Sequence, residues 1–76
     1  MPHIIVKLYP GRSDEMKKDF ANQVAELAKD VLGAGVEHTS VAFYEVDKED
    51  WQETVVEAEI KPNMDKLYKD SIYIKE

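Results

Sequence analysis

Apolar and polar positions fall into blocks, each with its own period. Residues 3 to 8, His-Ile-Ile-Val-Lys-Leu, are dense in β-branched apolar side chains and stop at Tyr9-Pro10-Gly11, a turn-forming cluster. A strand there puts Ile4, Val6 and Leu8 on one face and His3, Ile5 and Lys7 on the other. The apolar face is expected to be covered, the mixed face partly contacted. The period then changes. Met16, Phe20, Val24, Leu27 and Val31 recur at steps of four, four, three and four, with Ala21, Ala28 and Leu32 widening the stripe. That spacing predicts an amphipathic helix of some nineteen residues. Lys17, Lys18, Asp19, Gln23, Glu26, Lys29 and Asp30 fall mostly on its other faces. Ser13 suits its N-cap, Asp14 and Glu15 complement the positive helix start, and Gly33 supplies the stop. A Met/Phe stripe at helical spacing is expected to be core rather than a ligand face.

Thr39 to Val46, Thr-Ser-Val-Ala-Phe-Tyr-Glu-Val, predicts the second strand. Strand, helix and strand make one right-handed βαβ unit with parallel strands. Asp47 begins a single helical turn through Trp51. From Gln52 to Ile60 the pattern is ambiguous, since Thr54-Val55-Val56 favours strand and Glu57-Ala58-Glu59 favours helix. Pro62 suits the first turn of a short helix through Lys69, with Met64, Leu67 and Tyr68 on its apolar side. Ser71 to Lys75 alternates like a short strand. The expected fold class is α+β, a β-α-β unit with a short C-terminal helix and strand, in one domain spanning residues 1–76. Two parallel strands and one helix leave sheet edges and a sheet face uncovered, so the sheet is expected to be extended by oligomerisation.

Size sharpens that expectation. A chain of 76 residues buries only ~60% of its unfolded surface, which makes an isolated monomer marginal. It has no Cys, hence no disulfide staple, and two His that no Cys supplements as metal ligands. A formal charge of −6 argues against nucleic acid as a partner, which requires a basic footprint. No apolar run approaches the ~18 residues of a membrane span, and the first residues lack a signal-peptide pattern. The cytoplasm is the default location.

Standard catalytic constellations are missing: there is no Gly-rich phosphate loop, no metal-ligand spacing and no nucleophile elbow. His3 and His38 read as surface histidines, and Glu57/Glu59 and Asp47/Asp50 as a solvated acidic face. Trp51, the single Trp, follows a strand end where ligand pockets of such units lie, although core packing is the simpler explanation. Pro2 is the distinctive residue. Initiator methionine is normally trimmed before a small residue, and removal of Met1 leaves Pro2 with a free secondary amine. That amine is a base or nucleophile fixed to a strand. Otherwise Pro2 merely stiffens an edge strand.

Pro2 at the start of a strand, with Gly11-Arg12-Ser13-Asp14-Glu15 opening a long helix, resembles the 4-oxalocrotonate tautomerase family. The Ser40-Val41 strand entry lies at the matching distance. Glu45-Val46, the Trp51 turn, Ala58-Glu59-Ile60 and Pro62 resemble its longer, dimeric PptA-like branch. The likeness covers nearly the whole chain and rests on joint spacing rather than on any one motif.

The resemblance implies a keto–enol tautomerase acting on enols of 2-oxo acids, without metal or other cofactor. Pro2 would be the general base once Met1 is gone, Arg12 would hold a carboxylate or polarise the 2-oxo group, and Trp51 would form an aromatic wall. It implies a homodimer, with the hexamer of shorter members as the alternative. Ala42 stands where the archetypal member has a second arginine, which favours a monocarboxylate with an apolar or aromatic tail over a dicarboxylate. Decarboxylation, hydration or dehalogenation could use the same amine. The competing class is a non-enzymatic small-molecule binding or assembly module on the same fold.

Overall fold

A computed structural model describes residues 1–71. The chain forms two compact units, Met1–Glu45 and the segment from Val46 onward.

The first unit is the β-α-β element. Strand β1, His3–Leu8, and strand β2, Ser40–Glu45, pair in parallel, with His3 opposite Ser40 and Leu8 opposite Glu45. Helix α1, Asp14–Leu32, connects them. Its ends are those the capping residues dictate. Ser13 Oγ accepts a hydrogen bond from the Met16 amide at 3.1 Å. Gly33 adopts a left-handed φ of 75°, and its amide bonds back to the Lys29 carbonyl. A short 3-10 turn, Val36–His38, leads into β2.

The strand faces divide as the alternation predicts. Ile4, Val6 and Leu8 lie with Val41, Phe43 and Glu45 toward α1, where Phe20 meets Phe43 edge-on at 5.9 Å between ring centroids. His3, Ile5, Lys7, Ser40, Ala42 and Tyr44 share the opposite face, on which Ile5 and Tyr44 stay about half exposed.

The helix departs from expectation. The buried positions of α1 are Ala25 and Ala28, with Ala21 and Val24 half-buried. Met16, Phe20, Leu27 and Val31, expected as core, are 49–70% exposed. At about 100° per residue, that stripe is centred roughly a quarter-turn from the row Lys17-Ala21-Val24-Ala28. Two strands spaced about 4.8 Å apart make a narrow platform. Small alanines let the helix settle on it, and the larger side chains overhang one flank.

In the second unit, α2, Lys48–Trp51, starts at Asp47 and continues as a π-helical segment over Gln52–Ile60. The ambiguous stretch is therefore helical, with Val55 and Val56 buried. Asp47 occupies the N-cap position without a side-chain capping bond. The short helix expected through Lys69 is a 3-10 turn ending at Lys66, broken by the non-helical φ of −119° at Asn63, and Leu67 is extended. Tyr68 is fully exposed rather than on an apolar side. The strand expected at Ser71–Lys75 lies, from Ile72, outside the described residues. On the solvent side, Lys61 Nζ and Gln52 Nε2 both donate to Glu57 Oε2 at 3.0 Å. These bonds, Lys61 first, hold the Glu57 carboxyl below its ordinary value.

Two outcomes follow from the capping bond and this carboxylate. Ser13→Ala should lower stability by about 1 kcal/mol while Ser13→Asp retains it, read by thermal denaturation at fixed protein concentration. Because the folded-state pKa of Glu57 is depressed, its small contribution is present above the unfolded-state value and lost as pH falls through the folded one. An NMR titration should place its midpoint below the ordinary ~4.3, and Lys61→Met should raise it.

Candidate active site

The chain turns sharply between β1 and α1. Gly11 has a φ of 127°, a conformation that side chains other than hydrogen rarely adopt, and it sets Arg12 directly before the capped start of α1. There Arg12 borders a groove of about 290 Å³ walled by Val6, Leu8, Met16, Phe20 and Phe43, with Lys17 at its edge. The overhanging flank of α1 thus becomes the groove's apolar wall. A second depression, walled by Ile4, Val24, Leu27, Ala28, Val31 and Leu32, has no polar group.

The two cations of the groove differ in state. Arg12 donates to the Tyr9 carbonyl oxygen at a long 3.4 Å and forms no ion pair among the described residues. Lys17 is 19% exposed and sits 2.5 Å from Glu45 Oε2, at the end of β2. Lys17 continues the sheet-facing Ala21-Val24-Ala28 row by one step of four. That spacing was the available signal for its inward placement, and grouping it with the solvent-facing lysines missed it.

Pro2 lies at the other end of β1. Its carbonyl accepts from the Ser40 amide at 3.1 Å, and His3 Nδ1 lies 2.6 Å from Ser40 Oγ. The Pro2 end is thereby tied to β2 by one backbone and one side-chain bond. His3 and His38 are exposed, and no group of three or more metal-binding side chains occurs among the described residues. The six residues of β1 span roughly 20 Å, farther than an arginine side chain reaches. Within one chain, Pro2 and Arg12 are therefore apart. Ala42 pairs with Ile5 on the face away from α1 and offers no charge there. Trp51 belongs to the second unit, where it ends α2 and is half-buried.

Comparison with known proteins gives the family. The model of the family described as tautomerase enzyme matches residues 2–59, beginning at Pro2 and running through Arg12 and Trp51. The chain belongs to the tautomerase family. Tautomerase PptA of Pectobacterium atrosepticum is 41% identical over 70 residues, covering 91% of this chain and 92% of that one. A probable tautomerase of Xylella fastidiosa is 39% identical over 69 residues, covering 91% and 84%. The crystal structure of a 4-oxalocrotonate tautomerase homologue superposes with a TM-score of 0.61 at 33% identity, over 67% of this chain and 81% of that one. Membership of this family supports tautomerase-type activity, and the β-α-β fold agrees with it. Among the described residues, no helix is long and apolar enough to cross a membrane.

Proposed function

We propose that this tautomerase interconverts the enol and keto forms of a 2-oxo monocarboxylic acid in the cytoplasm, with Pro2 as general base. The observation that carries the reading is a guanidinium without an ion pair at the mouth of an apolar groove, in a chain whose family match begins at Pro2. Arg12 binds the substrate carboxylate or polarises its 2-oxo group, since a planar guanidinium matches both oxygens of a carboxylate. Val6, Leu8, Phe20 and Phe43 receive the apolar part of the substrate. With a single arginine, and Ala42 in place of a second, the site suits one carboxylate.

The Pro2 nitrogen takes the proton from the enol oxygen and returns it to carbon, so no net proton is consumed. This requires a free amine. Met1, 96% exposed, is accessible to trimming, and without trimming the Pro2 nitrogen is an amide with no basic lone pair. The amine must also be partly neutral near pH 7, which apolar surroundings and a neighbouring cation both favour. Because β1 separates Pro2 from Arg12, the two meet only across chains: Pro2 of one copy enters the Arg12 groove of another. A homodimer satisfies this with two equivalent sites.

Pro2→Ala should lower kcat/KM for ketonisation of phenylenolpyruvate by about 10²–10⁴-fold, and mass spectrometry of the active protein should show Met1 removed. Undiminished activity in Pro2→Ala contradicts the reading. Arg12→Ala should weaken carboxylate binding on the order of tenfold or more, and Arg12→Lys should recover only part of it, because an ammonium cannot make the paired bonds. Inhibition constants of a substrate-like carboxylate check both.

A further inference from the structure

We propose that Glu45 sets the substrate charge class of the Arg12 groove: by holding Lys17 in an ion pair, it leaves Arg12 as the one cation open to a ligand and so selects monocarboxylates over dicarboxylates. The inference rests on the reading of that groove as the carboxylate site and extends it to a residue outside the groove's lining. Two cations border the groove, and Glu45 neutralises one of them at 2.5 Å. Lys17 is four-fifths covered, anchored on the row of α1 that faces the sheet, so its ammonium is held near the groove rather than swung into solvent. Glu45 closes β2 opposite Leu8, itself a groove wall, so the carboxylate is fixed by strand register.

The charge balance follows from this placement. Arg12 and Lys17 together offer two positive charges, and Glu45 removes one. One ligand carboxylate then restores neutrality. A second carboxylate must displace Glu45 from Lys17 while lying beside the displaced anion, and like charges so close repel strongly where the surroundings are partly desolvated. Replacing Glu45 by a neutral isostere makes Lys17 available and turns the groove into a site for two carboxylates.

Isothermal titration calorimetry at low ionic strength tests this, with 3-phenylpropionate as the monocarboxylate probe and trans,trans-muconate as the dicarboxylate. Glu45→Gln should improve the affinity for muconate relative to 3-phenylpropionate by on the order of tenfold, and added salt should erode the gain. The gain should vanish in the Glu45→Gln, Lys17→Met double variant. An unchanged ratio overturns the proposal, as does a gain that persists without Lys17. Should Glu45→Gln not fold, Lys17→Met alone decides. It leaves an unpaired carboxylate beside the groove and should weaken both probes, and undiminished binding overturns the proposal. Binding needs no turnover, so failure here is distinct from failure of the catalytic reading. A flat affinity ratio in a protein that still depends on Pro2 removes only the role of Glu45. Probes that bind Arg12→Ala as well as the unsubstituted protein remove the groove as the site, and the proposal with it.

Discussion

The parallel pairing of β1 with β2 governs what this small chain can do. Parallel strands require a crossover, and α1 supplies it between Leu8 and Ser40. That topology sends the start of β1 and the start of α1 to opposite ends of the sheet. Pro2 sits beside Ser40 at one end, and Arg12 opens onto the groove at the other. Neither position can move without breaking the strand register or the capped helix start. A single chain therefore holds Pro2 and Arg12 apart. The same two strands are too few to cover a nineteen-residue helix, which is why apolar side chains overhang the sheet and wall the groove. Among the described residues, the apolar flank of α1 stays open, a surface that a second copy could cover.

Much of the first unit was legible because local chemistry and tertiary packing agree there. The β1 alternation, the Ser13 cap and the Gly33 stop each place an element boundary that the structure reproduces. The stripe on α1 misled for a physical reason. Periodicity identifies an apolar face but not how much sheet exists to cover it, and with two strands the small residues Ala25 and Ala28 are buried instead. In the second unit, β-branching at Thr54, Val55 and Val56 was no guide either. Those residues sit in a helical segment that buries both valines while Glu57 pairs with Lys61 one turn on, a spacing only a helix brings together. Pro62 did mark a turn, yet Asn63 breaks it before the apolar spacing of Met64, Leu67 and Tyr68 can form a face.

The sequence singles out candidate site residues, but not the contacts that surround them. Pro2, Arg12 and Trp51 stand out by type and spacing, and all three fall within the family match. The separation of Pro2 from Arg12 along β1 follows from strand length alone. The Lys17–Glu45 pair joins residues 28 apart in sequence, and only the register of β2 against β1 brings them together. A lysine on a helix row otherwise filled by alanine and valine is the trace such a pair leaves in a sequence.

We propose that the reacting amine and the carboxylate anchor come from different chains. Mixing subunits of Pro2→Ala with subunits of Arg12→Ala, assayed at a substrate concentration where each alone is strongly impaired, tests this. After dissociation and random reassociation, about a quarter of the sites would combine an intact Pro2 with an intact Arg12. Recovery of about a quarter of the unsubstituted activity is expected, appearing only after reassociation. A mixture no more active than the mean of its separate components contradicts a shared site.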